Sequence, residues 1–65
     1  MNIRERINRL AKAAKGHCRF VVYQFEGSTH IKFDGWDVAT MDENNVGYNN
    51  HQLTEAEKIF NISEQ

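Results

Sequence analysis

The chain has 65 residues, 40% of them hydrophobic and 26% charged, with a formal net charge of −1 and one cysteine. Folding at this length hides only roughly 60% of the surface that the unfolded chain exposes, which excludes a deep substrate cavity, and a lone thiol excludes an internal disulfide. Self-association or a partner protein is therefore expected to supply part of the stability.

The first element is a helix over residues 3–15. Asn2 followed three residues later by Glu5 is a capping-box start, and Ile3, Ile7, Leu10 and Ala14 fall on one stripe of the helix at spacings of four, three and four. Gly16 stops it in a left-handed cap. The remaining positions are basic. Residues 1–19 hold Arg4, Arg6, Arg9, Lys12, Lys15 and Arg19 against Glu5 alone, whereas residues 20–65 hold Lys32 and Lys58 against eight carboxylates. The chain is thus a dipole, with a basic first helix and an acidic remainder.

From Arg19 to Met41 the pattern turns to β, with strands expected over 19–25, 29–33 and 36–41, separated by Glu26-Gly27 and Asp34-Gly35. Two-residue turns at both places pair Phe20 with Phe33, Val22 with Ile31, Tyr23 with His30 and Gln24 with Thr29 in the first hairpin. In the second they pair Phe33 with Trp36, Lys32 with Asp37, Ile31 with Val38, His30 with Ala39 and Thr29 with Thr40. One face then carries Phe20, Val22, Ile31, Phe33, Trp36 and Val38. The other carries Val21, Tyr23, Phe25, His30, Lys32, Asp37, Ala39 and Met41.

Residues 42–53 read as a loop, with a short strand at Val46–Tyr48 as its only ordered piece. Thr54 with Glu57 is a second capping box, and Ala56, Ile59 and Phe60 give a helix over 55–62 one apolar side. The expected fold is a single α+β domain of order α-β-β-β-α, a three-stranded antiparallel meander packed against both helices.

The segments KGHCRFVVYQFE and GSTHIKF resemble the strand-turn-strand of HicA-type toxins, in which a Gly-Ser-x-His turn follows the first strand. The family shares the α-β-β-β-α order and the double-stranded-RNA-binding type of fold. The resemblance implies that Gly27 and Ser28 shape the turn and that His30 acts as acid or base in RNA cleavage.

The residues themselves favour a different leading function. Asp34, Asp37, Asp42 and Glu43 crowd the hairpins, while phosphate affinity comes mainly from Lys and Arg, so a protein partner suits this region better than RNA. Two helices, one of them short, leave the second sheet face without cover, and an exposed apolar patch marks an interface more often than a catalytic site. The expected function is a non-enzymatic binding module that inhibits or regulates a larger protein or complex. Tyr23, Phe25, His30 and Lys32 are its expected contacts, and Arg6 and Arg9 its electrostatic patch. Small stand-alone domains of this kind resemble accessory proteins encoded by phages and mobile elements, inhibitors of host defence among them. Two alternatives stand beside it: an RNA-cleaving toxin using His30, and a non-specific nucleic-acid binder acting through the basic helix. A homodimer is a further expected state.

No metal or cofactor is expected. His17 and Cys18 are neighbours and point to opposite sides of an extended strand, and Asp42–Asn44 lacks the rest of a calcium loop. The opening MNIRERINRL is amphipathic and basic without the apolar stretch of a signal peptide, so a cytoplasmic location and no membrane partner are expected.

Overall fold

In the computed structural model, which describes residues 2–62, helix α1 (Ile3–Ala14) starts at a complete capping box. Asn2 Oδ1 accepts from the Glu5 N–H at 2.9 Å, and Glu5 Oε1 accepts from the Asn2 N–H at 3.3 Å. Ile7, Leu10 and Ala14 from the expected stripe are fully buried. The helix ends ahead of Gly16, whose φ of +83° a side chain would resist.

Strands β1 (Phe20–Phe25), β2 (Ser28–Phe33), β3 (Trp36–Met41) and β4 (Val46–Tyr48) form one antiparallel sheet in chain order, and helix α2 (Asn50–Ile59) follows. The α+β class and the order of the elements are as expected, with Val46–Tyr48 adding a fourth strand to the meander. Glu26 and Gly27 have φ of 51° and 80°, and Asp34 and Gly35 have 50° and 85°. Positive φ at both central residues is the signature of the tight hairpin turn whose twist matches that of the strands. The first hairpin accordingly has the expected register, Phe20 opposite Phe33 through Gln24 opposite Thr29.

The second hairpin departs from expectation after two pairs. Phe33 faces Trp36 and Lys32 faces Asp37, but Ile31 then faces Ala39, His30 faces Thr40 and Thr29 faces Met41. Val38 is the extra residue of a β-bulge. Because the side-chain period of a strand is two, one inserted residue exchanges the faces of everything beyond it. Ala39 and Met41, expected on the outer face, are therefore buried in the core beside Val38. Trp36 shares the face of Phe33 but lies at the turn and is 65% exposed, so it is not the core residue that the register suggested.

Helix α2 also starts earlier than expected. Asn49, not Thr54, is its cap, with Oδ1 accepting from the Gln52 N–H at 3.2 Å. Starting at Asn50 puts Leu53, Ala56, Glu57 and Phe60 at the i, i+3, i+4, i+7 spacing of one helix stripe. Leu53 and Ala56 are fully buried, while Ile59, expected on the apolar side, is exposed. Residues 42–53 thus hold β4 and the first turn of α2 as well as a loop.

Both helices cover the same face of the sheet. Ile7, Leu10 and Ala14 of α1, Leu53 and Ala56 of α2, and Phe20, Ile31, Val38, Ala39 and Met41 of the strands make one core. An ion pair ties the helices together above it: Arg6 donates to Glu57 through Nη2 at 2.7 Å and Nε at 3.2 Å. Arg4 Nη1 donates to the Asp42 carbonyl at 2.7 Å, fastening α1 to the loop after β3.

That loop carries a pH-sensitive contact. The Asp42 carboxylate accepts from the backbone N–H of Asn44 at 2.8 Å and of Asn45 at 2.6 Å, and these bonds hold its pKa below the ordinary aspartate value. At the other end of the sheet, Arg19 holds Asp34 low in the same way through a two-pronged bridge. A depressed carboxylate contributes stability above its unfolded pKa of roughly 4 and loses it as pH falls through the lower folded value. The melting temperature is therefore expected to fall as pH drops from about 5 to about 2. Asp42→Asn, which keeps an acceptor but cannot titrate, should show a shallower fall in thermal melts followed by circular dichroism. An unchanged slope would remove Asp42 from the acid-sensitive groups.

Candidate functional site

The face of the sheet opposite the helices is open. Along β1, Val21, Tyr23 and Phe25 alternate with the core-facing residues and are 55%, 39% and 61% exposed. Register carries His30 and Lys32 of β2 and Asp37 and Thr40 of β3 onto the same face. Four of the expected contact residues, Tyr23, Phe25, His30 and Lys32, are thus neighbours on one surface. Ala39 and Met41 are not part of it, since the bulge turns them inward, and Thr40 takes the place beside His30.

The face has relief as well as apolar character. Tyr23 and Phe25 stand along the β1 side, while the β3–β4 side holds a shallow depression of about 560 Å³ lined by Asp37, Thr40, Gly47, Tyr48 and Asn49. Gly47 lies opposite Thr40 and has no side chain to fill that space.

The geometry at His30 is that of a packed side chain. Its ring lies parallel to that of Tyr23, 9° between planes and 4.8 Å between centroids. Nδ1 is 3.4 Å from Thr40 Oγ1, and Nε2 is closed off from solvent without a hydrogen-bond partner. A general acid or base must reach the proton it transfers, and here Nε2 is closed off while Nδ1 lies in the exposed contact with Thr40. Lys32 Nζ is 3.6 Å from Asp37 Oδ1, so the lysine on this face is matched by a carboxylate.

The basic helix divides into two parts. Arg6 is held between the helices by Glu57, with its side chain only 12% exposed, and Arg4 is committed to backbone carbonyls. Arg6 is thus committed between the helices, whereas Arg9 and Lys12 on α1 and Lys15 at its C-cap are exposed, and Arg6 and Arg9 alike belong to the helix that covers the sheet face opposite the open one. Glu57, which the sequence presents as a capping residue, proves to be a buried structural anion.

Among the described residues no cluster of histidine, cysteine and carboxylate side chains could hold a metal ion, and no helix is long and apolar enough to cross a membrane. Neither a protein-family model, nor a curated protein, nor a solved structure matches the chain, so the functional reading rests on its own residues.

Proposed function

We propose that this chain is a non-enzymatic binding module of the cytoplasm that docks on a larger protein or complex and inhibits or regulates it. The observation that carries the reading is the uncovered sheet face, where Val21, Tyr23 and Phe25 form an apolar ridge beside a shallow hollow. Exposed aromatic side chains of this kind supply the anchors of protein interfaces, with a few of them carrying most of the affinity. A protein suits the face better than a nucleic acid, because its lysine is matched by Asp37 and leaves little charge for phosphates. The make-up of the domain resembles that of accessory proteins of phages and mobile elements, which include inhibitors of host defence.

Phe25→Asp tests the reading. Phe25 lies outside the core, so the variant is expected to keep the wild-type circular dichroism spectrum and melting temperature. Its affinity for a partner retained by the wild-type protein should fall about thirtyfold, the loss of roughly 2 kcal/mol typical of an interface anchor. Retention of the same partner by both proteins overturns the assignment of the face. Growth arrest on expression of the wild type, relieved by His30→Ala, would replace the reading with RNA cleavage.

A further inference from the structure

The open face ends at a free strand edge. β1 pairs with β2 on one side and with nothing on the other among the described residues, whereas the opposite edge strand, β4, is three residues long and leads directly into α2. Exposed edges are normally blunted by charges, proline, bulges or brevity. β1 has none of these: its six residues, FVVYQF, are uncharged, lack proline and run in unbroken register with β2. In a hairpin closed by a two-residue turn the flanking residues exchange hydrogen bonds, and alternation then turns the backbones of Phe25, Tyr23 and Val21 toward β2. The N–H and C=O groups of Val22 and Gln24 are left facing outward.

The side chains of the same two residues point to the helix side of the sheet. With Tyr23 and Thr29 they line a groove of about 270 Å³ whose other wall is Asn8, Ala11 and Lys12 of α1 and Lys15 at its C-cap. Neither Lys12 nor Lys15 is within ion-pair distance of a carboxylate among the described residues. On the other flank of α1, Glu57 holds Arg6.

Resting on the protein-docking reading above, we infer that the β1 edge accepts an extended segment of the partner protein as a fifth strand. A strand laid along Val22 and Gln24 sends alternate side chains to the two faces. Those beside α1 meet Lys12 and Lys15 and are carboxylates. Those on the open face continue the ridge of Val21, Tyr23 and Phe25 and are apolar. The partner segment therefore alternates Asp or Glu with apolar residues. A second copy of this chain fits poorly, because twofold pairing of β1 with itself brings two sets of Lys12 and Lys15 together and offers Val22 and Gln24 where carboxylates are needed.

The inference is tested by selecting a displayed random decapeptide library on the immobilised wild-type protein. Enriched sequences are expected to carry acidic residues at every second position with apolar residues between. A fluorescein-labelled enriched peptide, followed by anisotropy, should bind about tenfold more weakly to Gln24→Pro, which removes the outward N–H together with the Gln24 side-chain bond to Thr29 Oγ1, and to the doubly reversed Lys12→Glu/Lys15→Glu. N-methylation along the peptide should abolish binding with a period of two, a readout that stands even if Gln24→Pro fails to fold. Enriched sequences without acidic alternation, or binding indifferent to these changes, overturn the edge assignment. If Phe25→Asp nevertheless loses the native partner, the docking face survives and only the fifth strand is lost. A wild-type dimer in sedimentation equilibrium that Gln24→Pro dissociates gives the edge to a second copy and likewise overturns the inference.

Discussion

Arg6→Ala is expected to unfold the domain at physiological temperature. Arg6 and Glu57 meet with side chains 12% and 7% exposed, through two hydrogen bonds of 2.7 and 3.2 Å. Removing one partner of such a pair leaves the other charge without compensation, at a cost of roughly 3–5 kcal/mol. A single core in a chain of this size supplies a net stability of only roughly 3–5 kcal/mol, so the loss consumes most or all of it. Urea titration should show a midpoint near zero denaturant for Arg6→Ala and a similar collapse for Glu57→Ala.

The same physics predicts a rescue. A buried ion pair recovers in Coulomb attraction little more than its desolvation cost, so replacing both members by apolar residues of similar volume is close to neutral. Arg6→Met with Glu57→Leu should therefore restore a cooperative transition within about 1 kcal/mol of wild type. A double variant as unstable as the singles would mean that the pair acts through specific bonds rather than charge compensation. The pair also bears on the proposed edge site: it holds Glu57 of α2 on one flank of α1, while Lys12 and Lys15 line the groove on the other.

The contrast between the two hairpins shows which parts of this fold local chemistry dictates. Asp34-Gly35 announces a tight turn because few residue pairs accept positive φ twice in succession; Glu26-Gly27 is the weaker signal, since glutamate seldom takes positive φ, yet it closes the same turn and the β1–β2 register follows from it. The bulge at Val38 has no such local signal. It is favoured by tertiary packing: with Val38 inserted, Val38, Ala39 and Met41 all reach the core under the two helices, where a regular strand would turn Ala39 and Met41 outward. Helix α2 hides its start for a related reason. Thr54-x-x-Glu57 is a sound capping box in isolation, but a helix begun at Asn50 buries Leu53, and Glu57 then falls on the buried stripe where a carboxylate is unexpected until Arg6 is seen across from it. Of the candidate site, Tyr23, Phe25, His30 and Lys32 were legible as one face because they lie on the hairpin whose register the turn sets. Arg6 was not separable from Arg9, since helical spacing shows which residues leave the core stripe and not which of them meet a second helix.

Ile31→Ala should be the most damaging truncation in the sheet, and its comparison with Phe25→Ala separates folding from docking. Ile31 is 1% exposed at the centre of β2, opposite both Val22 and Ala39, and belongs to the core on which both helices rest. Truncating such a residue removes buried methylenes and leaves a cavity that a four-stranded sheet pinned by two tight turns cannot collapse, a cost of about 2–5 kcal/mol. Phe25, on the opposite face and 61% exposed, loses little buried area when truncated and should melt within about 0.5 kcal/mol of wild type. Equal destabilisation by the two would mean that the outer face is packed in solution and would remove the physical ground for a docking surface there. The expected divergence has a structural cause: β1 and β2 spend one set of alternating side chains on the core and leave the other set free of it. Selection on the partner can therefore act on Val21, Tyr23 and Phe25 at little cost to folding, because the residues that hold this sheet together point the other way.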